Sequence, residues 1–148
     1  SPETIVFICI AEIGALVVAY PAIQEARKKH PHSRVCFITA PAGFQTLEFM
    51  GFEEEDIYLL ETSSVQSLLK GLLKIRNQFN KAEKVSAVIL EPFARFSTLL
   101  SVWIGASQRI GCYRFLNEGV YLGNFLTHRL VYNSHLHVSQ TYLALVKA

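Results

Sequence analysis

Apolar positions follow two spacings that alternate along the chain. Short continuous apolar runs stand at residues 4–10 (TIVFICI), 34–39 (RVCFIT), 56–60 (DIYLL) and 85–90 (VSAVIL), with segments of helical period between them. A run without polar alternation suits a strand buried on both faces, and a parallel sheet wrapped by helices buries both. The pattern predicts a first helix over 14–29, with Pro21 kinking it or marking its first full turn. A short helix over 44–49 ends at Gly51. The clearest helix carries Val65, Leu68, Leu69, Leu72, Leu73 and Phe79 in period, with Ser63 or Ser64 as its cap. Beyond residue 90 the pattern predicts a helix over 97–104 closed by Gly105 and a short strand over 109–112. A loop region over 113–126, an edge strand over 129–132 and a final helix over 138–147 follow. The expected fold is α/β, a Rossmann-like doubly wound and mainly parallel sheet with the first, second and fourth strands at its centre. Ligands of such sheets sit beyond the carboxyl ends of the strands. The candidate site turns are therefore 11–15, 40–44, 61–64, 91–96 and 112–116.

Length and composition narrow the function. A chain of 148 residues makes one domain with a single core. Fourteen basic against twelve acidic residues leave a net charge of +2, too balanced for a dedicated nucleic-acid binder. A hydrophobic share of 51% beside 18% charged is richer than usual, so some apolar surface is expected to face a partner or a missing neighbour. Cys9, Cys36 and Cys112 sit in or beside apolar runs without C-x-x-C spacing, which predicts buried reduced thiols in a cytoplasmic protein. Residues 4–23 carry one charge, Glu12, and are long enough to cross a bilayer. Yet the first half is β-branched and the second rich in Gly and Ala, which fits two elements better than one span. No basic stretch precedes the run, so a signal peptide is not expected. The chain begins at Ser1 without methionine, and a trimmed N-terminus is expected.

The turns hold limited chemistry. The first, around "AEIGALVVAYPAI", lacks both G-x-G-x-x-G and the P-loop pattern. Amides at 14–16 could still meet an anion, or Gly14 could simply allow close packing of helix on strand. The fourth, "LEPFARFSTLL", gathers Glu91, Arg95 and Ser97, a set able to grip a sugar hydroxyl or phosphate. The plainer alternative is a Glu91–Arg95 ion pair bracing the turn. His135 and His137 alternate without a third ligand, so capping or solvent contact is expected and no metal. Lys70, Lys74, Arg76 and Lys81 read first as a solvated helix face and second as a contact for anionic lipid. No Ser/His/Asp or Cys/His arrangement can be assembled.

Taken in order, these motifs resemble the N-terminal domain of glycosyltransferase family 9, the heptosyltransferases of lipopolysaccharide biosynthesis. "CIAEIGALVVAYPAI" follows the family's R-x-G-x-x-G-D-V-x-x-x-x-P-A-(L/I), "IGASQRIGCY" its sGA-x-x-R-I-G-(F/Y), and "HVSQTYLALVKA" its H-x-x-x-x-Y-L helix. The resemblance implies the acceptor-side half of a GT-B glycosyltransferase, whose C-terminal domain would bind the nucleotide-sugar donor and lies outside residues 1–148. The implied acceptor is a lipid-linked or other glycan, and the implied place is the cytoplasm, peripheral on the inner membrane. No cofactor is implied. Gly14, Ala15, Arg95 and Ser97 fall at acceptor-binding positions. The family's catalytic aspartate aligns with Ala15, whose methyl group cannot take a proton. Glu12 is then the first candidate base and Glu91 the second. The alternative is a non-catalytic binding or assembly domain that keeps the fold without the base. A small nucleotide or phosphate sensor of flavodoxin-like form lacks any supporting signature. The isolated domain is expected to be inactive on its own.

Overall fold

The computed structural model describes residues 4–79, 84–91, 95–115 and 125–148, with backbone only at 113–115. Six strands form one sheet: β1 (Thr4–Cys9), β2 (Arg34–Thr39), β3 (Ile57–Leu59), β4 (Val85–Ile89), β5 (Gln108–Phe115) and β6 (His128–Tyr132). Their order is β3-β2-β1-β4-β5-β6, and all five pairings are parallel. The chain winds outward from β1 to β3, returns to lay β4 on the other side of β1, and winds outward again. The reversal makes the gap between the β1 and β4 ends the topological switch point. The expected strands lead the sheet, with β1 and β4 central and β2 beside β1.

Both faces of β1 are buried, which is why its sequence shows no polar alternation. Ile5, Phe7 and Cys9 point into one core layer with α1 (Ile13–Val18), α2 (Tyr20–Lys29), α3 (Phe44–Phe49) and α6 (Val138–Lys147). Val6 and Ile8 point into the other, against α4 (Val65–Phe79) and α5 (Arg95–Trp103). Gly51 and Gly105 stand just past α3 and α5 with φ of 82° and 77°, the left-handed conformation glycine adopts most easily.

Three expectations need correction. The first helix is two, because Ala19 at φ −78°, ψ −11° separates α1 from α2. Pro21 has no N–H to give the Val17 carbonyl, so the ladder breaks there and Pro21 instead occupies the first turn of α2. This split also ends the transmembrane reading of residues 4–23, which become a strand and parts of two helices. Among the described residues no helix is long and apolar enough to cross a membrane. The fifth strand runs on to Phe115 rather than stopping at 112. An irregularity between Cys112 and Arg114 shifts its register on β6, and a bulge of this kind blurs the period by which a strand is read. The expected loop over 113–126 therefore starts later, and residues 116–124 lie outside the described residues.

All three cysteines are free and buried. Burial is the main cause that pushes Cys9 and Cys36 up to about 12 and Cys112 up to about 11, from the ordinary thiol value of 9.0. The folded chain thus keeps protons that the unfolded chain gives up above pH 9. Stability on this account is whole below about pH 9 and is lost as pH rises toward 11–12. Urea midpoints measured across an alkaline series should fall through that window; a flat profile would mean the thiols are not held protonated by the fold.

Candidate functional site

Parallel strands end at a common edge, and the helices that follow them begin there. At the switch point this edge carries the turn after β1 and the turn after β4. Glu91, two residues past β4, is only 3% exposed. Its Oε1 accepts hydrogen bonds from the backbone N–H of Ile10 (2.8 Å) and of Ala11, and Oε2 accepts one from the Ser97 hydroxyl. The Cys9 thiol approaches Oε1 at 3.8 Å and the Glu12 carbonyl at 3.2 Å. One carboxylate thus ties the β1 turn to the first residues of α5. Two backbone N–H groups that would otherwise be left unpaired near the core find their acceptor in it. Glu91 braces this turn through two amides and a hydroxyl, whereas the plainer expectation was a brace through an ion pair with Arg95.

The consequence is a division among the expected site residues. Glu91 and Ser97 come together and turn inward, Ser97 being fully buried. Ala15 also faces inward; its methyl group, 8% exposed, belongs to the core layer beside Leu16 and Cys9. Glu12, Gly14 and Arg95 face outward. Glu12 is the N-cap residue of α1, yet its side chain makes no capping hydrogen bond, and its carbonyl alone receives Ala15 N at 3.0 Å. Gly14 is not there for close packing, since a Cβ added to it would meet nothing within 4 Å. The close approach falls instead at Gly43, in the turn after β2, where a Cβ would lie 2.6 Å from Thr39 Oγ1 and 3.0 Å from Leu16 Cδ1. Gly43 thus lets that turn slip under α1.

Tyr142 is a site-supporting residue that reading the turns alone misses. It projects from α6 into the core, 2% exposed. Its hydroxyl titrates well above the ordinary tyrosine range, first through burial and then through the charges of Cys9 and Glu12. It packs in the same core layer as Cys9 and Ala15, beneath the β1 turn. The sequence signal was its place in the closing H-x-x-x-x-Y-L pattern. His137, which opens that pattern, caps α6 by accepting from Ser139 N at 3.3 Å, as its capping expectation had it. Ser64 likewise caps α4 through Ser67 N at 3.1 Å. Among the described residues no cluster of His, Cys, Asp and Glu could hold a metal ion. A cavity of about 770 Å³ opens at the opposite edge, where α2 and α6 both end. Lys29 and Lys147 there complement helix carbonyl termini, which leaves the β1–β4 edge as the candidate site.

The fold defines a Rossmann-like α/β protein whose candidate site edge lies between β1 and β4. Solved structures that superpose on this fold include glycosyltransferases. The chain superposes on a family 9 glycosyl transferase from Veillonella parvula with a TM-score of 0.72 at 16% identity, over 98% of this chain and 41% of that one. It also matches Escherichia coli heptosyltransferase WaaC solved with ADP (TM-score 0.68, 10% identity, 97% of this chain, 46% of that). WaaC solved with ADP-2-deoxy-2-fluoro heptose gives a TM-score of 0.71 at 11% identity, over 97% of this chain and 47% of that. The chain spans less than half the length of each. No family model and no curated protein matches the sequence.

Proposed function

We propose that this chain is the acceptor-side domain of a heptosyltransferase-like GT-B glycosyltransferase. A donor domain outside these 148 residues would bring a nucleotide-sugar, and the acceptor would be a lipid-linked or other glycan. The observation that carries the reading is the braced β1 turn at the switch point, which leaves the Glu12 carboxylate exposed and free of capping. In this reading an acceptor hydroxyl lies against Glu12 and Gly14. Its oxygen attacks the anomeric carbon, Glu12 takes the proton, and the nucleoside diphosphate leaves from the opposite face with inversion. Glu91 acts one step back: it positions the turn and does not touch the sugar. Arg95, at the exposed start of α5, offers a cation for acceptor hydroxyls or phosphates. The place is the cytoplasmic side of the inner membrane, with peripheral contact, and no nucleic acid is involved.

The test is release of ADP from an ADP-activated sugar by the protein carrying both halves, in the presence of a glycan acceptor. The 148-residue chain alone should transfer nothing. Calorimetry with the nucleotide-sugar should find no binding tighter than about millimolar, roughly 4 kcal/mol; micromolar affinity would overturn the division of labour. One observation favours a second reading, a binding or assembly domain without catalysis. The side chain at the position that resemblance assigns to the base is a methyl group packed in the core.

A further inference from the structure

The outer face formed by α4 and by α5 beyond its first residues lies outside the proposed site. The two helices lie side by side: Trp103 Nε1 donates to the Leu72 carbonyl at 2.9 Å, and the Arg76 guanidinium stacks 4.5 Å from the Trp103 ring centre. Their inward residues, Leu72, Ile75 and Phe79 with Leu100, pack on the sheet. Yet a second apolar stripe looks outward. Val65 is 75% exposed, Leu69 and Leu73 56% each, and Leu99, Val102 and Trp103 continue it across α5. Spacing by one helical turn places Val65, Leu69 and Leu73 in a row. The exposed Lys70 and Lys74 stand on the same helix beyond that row.

Charge identifies what covers this face. Neither helix contains an Asp or Glu, although the chain as a whole is nearly balanced at fourteen bases to twelve acids. Lysines beside exposed leucines are poor protein-interface residues, where lysine is depleted. In a symmetric pair of copies they would face their own likeness. Leucine and tryptophan at the boundary with lysine and arginine beyond suit an anionic lipid surface, into which such helices sink about 5–10 Å. Because α4 and α5 follow β3 and β4, both begin at the edge that holds the candidate site.

We infer that the α4–α5 face is a peripheral docking surface for a membrane bearing anionic phospholipid, with the site edge set at the headgroup level. The inference rests on the peripheral contact proposed above and assigns it a surface; the vesicle assay needs neither donor nor acceptor, so it can fail while the sugar-transfer reading stands.

The 148-residue chain is spun with sucrose-loaded phosphatidylcholine vesicles containing phosphatidylglycerol at about one part in three, and with phosphatidylcholine alone. Binding is expected to the anionic vesicles only, and to weaken with added salt. K70Q/K74Q should lower partitioning about thirtyfold, or roughly fivefold per lysine. L69S/L73S should lower it at least about tenfold through lost apolar burial. K28Q/K29Q, exposed on α2, should leave it unchanged and serves as the charge control. Should the leucine variant fold poorly, the lysine variant decides alone. Failure to bind at low salt, or equal losses from K28Q/K29Q and K70Q/K74Q, would overturn the inference. So would a dimer that L69S/L73S converts to monomer, which would assign the face to a second copy.

Discussion

Glu91→Ala should lower the stability of the chain by about 2–5 kcal/mol, a shift in melting temperature of roughly 5–15 °C for a domain of this size. The size follows from what the carboxylate holds. Its loss strips the Ile10 and Ala11 amides and the Ser97 hydroxyl of one shared acceptor, in a place where water does not replace it. It also leaves a gap between the β1 turn and α5. Glu91→Gln keeps an oxygen for the two amides, and the Ser97 hydroxyl can turn to accept from the new amide group. That variant should cost about 1 kcal/mol. Urea denaturation of both variants measures the difference. If alanine is tolerated as well as glutamine, Glu91 does not brace the turn.

Glu12→Gln should do the reverse: leave folding unchanged and, in the protein carrying its donor half, cut turnover by about 10²- to 10⁴-fold. The side chain is exposed and makes no capping hydrogen bond, so removing its charge disturbs little that holds the fold. Steady-state ADP release beside a thermal melt separates the two effects. Ala15→Asp completes the comparison. It puts a carboxylate in the first turn of α1, where the helix terminus favours acid, but at a site only 8% exposed. The burial should cost about 1–3 kcal/mol, with a gain in turnover if the rest of the site is competent. A protein inactive on every donor, and unmoved by Ala15→Asp, is the non-catalytic domain. A protein that is active and indifferent to Glu12→Gln keeps its base elsewhere.

Much of this architecture is legible in the sequence by itself. Burial on both faces leaves its mark directly on composition, so the continuous runs at β1, β2 and β4 predicted a parallel, doubly wound sheet and its centre. The period of α4, the serine cap before it and the glycines after α3 and α5 are equally local, since each depends on residues within a turn or two. The three thiols could be expected to be buried because they lie inside those runs. What only the tertiary structure decided is which way the polar residues of the site face. Glu91 reaches amides eighty and eighty-one residues away, and no local period carries such a pairing. From sequence, Glu91 and Glu12 are two carboxylates in neighbouring turns. In the fold one is spent on the backbone and the other is left to the solvent, because the β1 turn has amides that need an acceptor and the space beyond Gly14 is open. The same holds for Tyr142, brought under that turn by a helix at the far end of the chain, and for the outward leucines of α4. Helical period places Leu69 and Leu73 beside the core stripe, but only the packed sheet leaves them uncovered.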